Sequence, residues 1–323
     1  AFSNYRLSES ATLTASETFA VGTPIHLGHD PHRKKLVLNI LVDGLSWAAA
    51  RTRFPACMPR IAEFFSRGVI FDQNFSTSEH TLPAIETGRY PQRIHIFNEK
   101  DSHELPLDIP TLSEQMKSLG YYCAAPMASG FGIYNGVMRG YDRIVSASWK
   151  AASYEGVDRT IRQIEAFEET DQFLLLHVMD VHPWDGKDFK FDPTVEARLA
   201  LKDRRIALGK ERTASVRLLP TKVYQEEFWA SLRNVDRNIG ALLSYIADRY
   251  DEDEYIVNLY SDHGLPCFGA ADVCTRFDLA REVQTSAIWM MRGAGVPACG
   301  IVDELTSIVD IYPTLGHLCG FPV

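Results

Sequence analysis

A chain of 323 residues, 46% hydrophobic and 23% charged, has an ordinary globular composition and enough length to bury a large core. Its net charge of −9 argues against a nucleic-acid or anionic-membrane binder, and no run approaches the roughly eighteen continuous apolar residues of a membrane span. Six cysteines, at 57, 123, 267, 274, 299 and 319, form no CxxC pair and fit free thiols, or at most one or two bridges; free thiols favour a cytoplasmic location, and an extracytoplasmic one follows if a segment upstream of Ala1 was removed.

Residues 1–35, rich in Ser, Thr and His without periodicity, read as an N-terminal arm or edge segment, and residues 36–323 as one α/β domain. Leu36 to Val42 is an apolar-rich run closed by Asp43-Gly44, the pattern of a buried parallel strand. Pro55 to Arg67 carries apolar residues at helical spacing and stops at Gly68, and Val69-Ile70-Phe71 follows as a short strand. The hydroxyl-rich stretch from Ser76 to Thr81 approaches a helix start at Pro83. Thr111 is the N-cap, Glu114 the capping-box partner and Gly120 the terminator of a helix ending at Leu119. Tyr121 to Pro126 reads as a strand, Val157 to Phe167 as a helix, and Gln172 to Val178 as a strongly apolar strand. Residues 186–220 are charged and irregular, an excursion over the site. A long amphipathic helix from Tyr224 to Tyr250 leads into a strand from Tyr255 to Ser261, closed by Asp262-His263-Gly264. A strand from Thr285 to Met291 and a helix from Glu304 to Cys319, stopped by Gly320, complete the pattern. Alternating strands and helices imply an α/β fold with a mostly parallel central sheet and helices on both faces.

Ligands of open α/β sheets gather beyond the carboxyl ends of the strands. Two strands deliver Asp43, Asp262 and His263 there, and two carboxylates beside an imidazole suit a divalent metal. Taken singly, Asp43 would serve as a turn former and Asp262-His263-Gly264 as a cap. The hydroxyls before Pro83 either cap a helix or face a bound anion beside its free N–H groups.

In this order, the motifs resemble a family: strand-Asp43-Gly44; Thr81-Leu82-Pro83-Ala84 followed by Thr87-Gly88-Arg89-Tyr90-Pro91; His177-Val178-Met179-Asp180-Val181-His182-Pro183; and Ser261-Asp262-His263-Gly264. They are similar to the sulfatase-like branch of the alkaline phosphatase superfamily. Leu112 to Tyr122, Val235-Asp236 and Ile308 to Leu315 match further family segments, so the resemblance spans roughly residues 36–323. It implies an alkaline-phosphatase-like fold, and an enzyme hydrolysing or transferring phosphate or sulfate esters of small molecules, lipids or glycans. It implies Asp43, Asp262 and His263 as ligands of one divalent metal, with Thr81 as nucleophile and fourth ligand. That donor set favours Zn or Mn over Mg or Ca. Ser78 is the alternative nucleophile, because it keeps the family's nine-residue spacing to Thr87 but lacks the following proline. His182 resembles the substrate-binding histidine, and Arg93 and His95 lie where the family has basic residues near substrate. His177 and Asp180 are expected outside the site, finishing a strand and a turn.

True sulfatases convert Cys or Ser of a Cys/Ser-x-Pro-x-Arg motif to formylglycine. Here the matching position is Thr81 and Ile85 stands in place of Arg, so the resemblance favours the phosphodiesterase, phosphonate hydrolase and phosphotransferase relatives over sulfatases. A catalytically silent binding module of the same fold is the remaining alternative. Family members commonly continue past the Pro-Thr-Leu helix into a smaller sheet subdomain; this sequence stops at Val323, so either the subdomain is absent or the sequence is a truncated piece.

Overall fold

The computed structural model describes residues 33–77, 81–97, 103–128, 135–146, 155–181, 221–264 and 282–323. Eight strands form one sheet: β1 Leu36–Val42, β2 Val69–Phe75, β3 Tyr122–Met127, β4 Arg143–Ser146, β5 Gln172–Val178, β6 Tyr255–Tyr260, β7 Trp289–Gly293 and β8 Gly300–Ser307. Their spatial order is β4-β3-β5-β1-β6-β7-β2-β8, and every neighbouring pair is parallel except those involving β7. The helices are α1 Trp47–Ala50, α2 Pro59–Phe65, α3 Leu82–Thr87, α4 Pro91–Ile94, α5 Leu112–Ser118, α6 Gly156–Ala166, α7 Thr221–Arg249, α8 Glu282–Thr285 and α9 Ile311–Cys319.

β1, β5 and β6 are buried at every position, which explains why their sequences lack hydrophobic alternation. Both faces of the sheet are covered. Leu38, Ile40, Leu174, Leu176, Val257 and Leu259 meet α2, α6 and α7 on one side. Val37, Leu41, Phe173, Leu175, Ile256 and Tyr260 meet α3, α5 and α9 on the other. Period-two alternation of side chains makes this division, so each strand feeds two cores.

Polar residues in the family-like motifs hold helices in place. Asp236, on α7, accepts hydrogen bonds from the backbone N–H groups of Arg60 and Ile61 at 3.0 Å, capping the start of α2 from outside. Asp310 accepts from Ser307 N at 2.8 Å before α9. Gly88 has φ +64°, and a Cβ there would come within 2.9 Å of the Tyr312 Cβ, so the glycine lets α3 end against α9. The Thr111–Glu114 capping box forms as expected.

Several boundaries differ from the sequence expectations. The helix expected from Glu304 begins only at Ile311, because Glu304 to Ser307 completes β8, which pairs with β2. That edge strand exposes Ile301 and Leu305, so it has no continuous apolar run to read. The last predicted strand starts at Trp289 rather than Thr285, after the short α8. β2 runs on to Phe75, the helix expected over Pro55 to Arg67 narrows to Pro59–Phe65, and β4 was not foreseen. The expected excursion at 186–220 and nearly all of the arm at 1–35 lie outside the described residues.

Candidate active site

β1, β5 and β6 are adjacent and parallel, so their carboxyl ends open at one edge. Asp43 follows β1, and Asp262-His263 follows β6 after Ser261. One candidate ligand atom from each of Asp43, Asp262 and His263 lies within 4.8 Å of the others. Sequence positions more than two hundred residues apart become a single cluster because their strands are hydrogen-bonded neighbours.

The electrostatics of the cluster favour a cation. Asp262 accepts at Oδ1 from Gly44 N at 2.9 Å and His263 N at 2.8 Å, leaving Oδ2 toward the imidazole. His263 Nδ1 lies 2.8 Å from the Gly264 carbonyl oxygen, which only accepts, so Nδ1 carries a proton. In a neutral ring Nε2 then holds the lone pair. That atom faces Asp262 Oδ2 at 3.4 Å and Asp43 Oδ1 at 3.9 Å. An imidazole nitrogen this close to two carboxylates, with its other nitrogen fixed by a carbonyl, suits a divalent metal. Burial, and then the charge of Asp43, raise the Asp262 carboxyl to about 6, against the opposing pull of His263 and two backbone N–H groups. Two buried carboxylates held this close repel one another until a cation joins them.

His177 belongs to this neighbourhood, contrary to expectation. It pairs in register with Leu41, two residues before Asp43, so the alternation places both side chains on one sheet face. Its Nε2 lies 3.0 Å from Asp43 Oδ2, and the residue is only 5% exposed. His177 therefore donates to the carboxylate and fixes how Asp43 turns. The signal was available: an imidazole inside the otherwise apolar β5 has to find a polar partner. Asp180, beyond β5, is buried as well.

Thr81 is the N-cap of α3 and is 1% exposed. Its backbone carbonyl accepts from Ile85 N at 3.0 Å, while its Oγ1 is buried with no hydrogen-bond partner. An N-cap hydroxyl ordinarily accepts from its own helix; this one does not. Ser76, five residues before Thr81, and Gly264, next to the carboxylate–imidazole cluster, both bond to the end of α8. Ser76 N donates to Thr285 O at 2.7 Å, and Gly264 N donates to the adjacent Gln284 O at 2.7 Å. Tyr260, the last residue of β6, feels the charges of both Asp262 and Glu86, a carboxyl on α3.

Arg93 and His95 lie exposed on α4 and at its C-cap, where His95 adopts φ 58°. Neither joins the carboxylate–imidazole cluster. Ser78 and His182 lie outside the described residues.

A family model described as Sulfatase matches residues 35–321. Among solved structures, the phosphonate monoester hydrolase of Silicibacter pomeroyi superposes with a TM-score of 0.69 at 13% identity, covering 89% of this chain and 74% of that one. The phosphonate monoester hydrolase of Agrobacterium radiobacter gives 0.63 at 15%, covering 89% and 74%. A 2-O GAG sulfatase gives 0.66 at 17%, covering 90% and 71%. A search of curated proteins finds no match.

Proposed function

The chain belongs to the sulfatase family, and from that premise we propose a metal-dependent ester hydrolase that uses an unmodified hydroxyl, Thr81, and prefers phosphate to sulfate esters. The observation that carries the metal-dependent part is the clustering of one ligand atom each from Asp43, Asp262 and His263 within 4.8 Å of one another. Support for Thr81 is its buried, unpartnered Oγ1 at the start of α3. Support for phosphate is chemical: threonine cannot become formylglycine, and Ile85 stands where the sulfatase motif has arginine.

Asp43, Asp262 and His263 would hold one divalent cation, Zn or Mn by donor type, with Thr81 beside it. Such a cation lowers the pKa of a neighbouring hydroxyl and polarises a non-bridging ester oxygen. Thr81 Oγ loses its proton to solvent water and forms the new bond to phosphorus as the bond to the leaving oxygen breaks; the leaving oxygen takes a proton from His182, which His182 regains from the water that next attacks. Water then cleaves the phospho-threonine; an acceptor alcohol in its place makes the same chemistry a transfer. His177, through Asp43, keeps a ligand carboxylate oriented, and Arg93 and His95 are the remaining candidates for contacts to substrate.

The test is turnover of p-nitrophenyl phosphate, a phosphodiester, a phosphonate monoester and p-nitrophenyl sulfate by the chain loaded with Zn or Mn. Thr81→Ala should lose turnover while its circular dichroism is unchanged, and Ser78→Ala should keep it. The reverse result moves the nucleophile to Ser78; activity in both variants rules out the covalent route. A true sulfatase is the second reading, favoured by the position of Ser78 nine residues before Thr87, and a formylglycine mass shift at Ser78 would establish it. Failure on all four ester classes identifies a silent binding module.

A further inference from the structure

Glu86 lies near the C-terminal end of α3 and is 1% exposed. Leu82, Ala84 and Ile85 pack into the core on that sheet face, and Thr87 Oγ1 donates to Pro83 O within the helix. Glu86 instead reaches to other elements. Tyr141 OH donates to its Oε1 at 3.2 Å, and the backbone N and Oγ of Ser113, in the first turn of α5, lie 3.3 Å from its Oε2. Ser113 Oγ also contacts the Arg139 carbonyl, which only accepts. A hydroxyl has one proton to give, so when it goes to Arg139 the contact with Glu86 needs the proton of a neutral carboxyl.

A carboxyl among apolar side chains is costly, and a leucine would fill this position without that cost. We infer that Glu86 is a positioning residue for the candidate nucleophile: it ties one end of α3 to α5 and Tyr141, and so fixes the place of Thr81 at the other end. α3 is six residues long and buried at all six, so packing holds it along its whole length. Its far end is further set by the contact of Gly88 with Tyr312. This role for Glu86 rests on the reading of Thr81 as nucleophile.

The groups around Glu86 are Ser113 and Glu114 on α5, Cys123 on β3, Tyr141, Tyr260 on β6 and Tyr312 on α9. Burial raises the Glu86 carboxyl to about 7, opposed by hydrogen bonds from Ser113 and Tyr141 and assisted by Glu114. Its charge, and the hold on α3, therefore change in the neutral range.

The metal-loaded wild type, Glu86→Gln and Glu86→Leu are compared between pH 5 and 9 on an ester that the wild type turns over. Glu86→Leu should lower kcat by about tenfold or more with little change in KM, as expected for a misplaced reacting group. Glu86→Gln should restore kcat and lack the wild type's inflection near pH 7. In parallel, the methyl resonance of Thr81 in threonine-labelled protein reports α3 without turnover. It should titrate near pH 7 in the wild type and not in Glu86→Gln. A Leu variant with wild-type kcat, a Gln variant that retains the inflection, or a Thr81 resonance indifferent to Glu86→Gln overturns the positioning role. If the Leu variant does not fold, the Gln variant and the resonance decide. A wild type inactive on every ester whose Thr81 still follows Glu86 overturns the proposed function and with it the catalytic meaning of the positioning, while the hold of Glu86 on α3 remains.

Discussion

Replacing Glu86 by Gln keeps the size and most of the hydrogen-bonding capacity of the side chain while removing its charge. The carboxyl is fully enclosed, and burial lifts it from an ordinary 4.5 to about 7. Below pH 4.5 it is neutral whether the chain is folded or unfolded, and the native state has the full benefit. Between 4.5 and 7 the unfolded chain ionises and the folded one does not, so stability falls as pH rises; above 7 the loss is complete. At about 1.36 kcal/mol for each tenfold change in proton affinity, the total is ~3 kcal/mol. Unfolding entropy of about 2.1 cal/mol/K per residue converts this to a melting shift of roughly 4–5 °C for a chain of this length. Melting curves of wild type and Glu86→Gln, followed by circular dichroism from pH 4 to 8.5, should therefore diverge with rising pH, the Gln variant gaining on the wild type. A difference that stays constant across this range would refute the assignment of a buried, neutral Glu86.

Asp262→Asn should likewise stabilise the metal-free protein at pH 8, because the raised Asp262 carboxyl loses its stabilising contribution as pH rises through about 6; a chelator-treated variant that melts below wild type at pH 8 contradicts the repulsion with Asp43. Zn or Mn should raise the melting temperature of the wild type and not of Asp262→Asn, by about 4 kcal/mol in stability at a thousandfold excess over Kd, and chelator should reverse it. His177→Gln should weaken metal binding roughly 10–100-fold in competition with a chelating indicator, since its bond to Asp43 orients a ligand; unchanged affinity removes His177 from the site.

The buried strands β1, β5 and β6 and the long helix α7 were legible in the sequence because burial on both faces demands long apolar runs and one-sided burial demands helical periodicity. The parallel α/β class followed from their alternation. β8 was not legible, because an edge strand with solvent on much of its surface carries no such run, and Glu304 and Leu305 are good helix formers. β7 had a readable sequence but an unreadable direction, since strand polarity depends on how the preceding chain returns to the sheet.

The same division holds for the candidate site. By itself, the sequence determined that Asp43 and Asp262-His263 end apolar strands and are available at a sheet edge, because a terminated hydrophobic run is a local property. The tertiary structure decided that those strands are neighbours, that His263 turns its Nε2 toward both carboxylates, and that His177 holds Asp43. It also decided that Glu86 is buried against α5 rather than solvated. These facts depend on lateral strand order and cross-strand register, which set distances between residues far apart in the chain and leave no periodic trace in it.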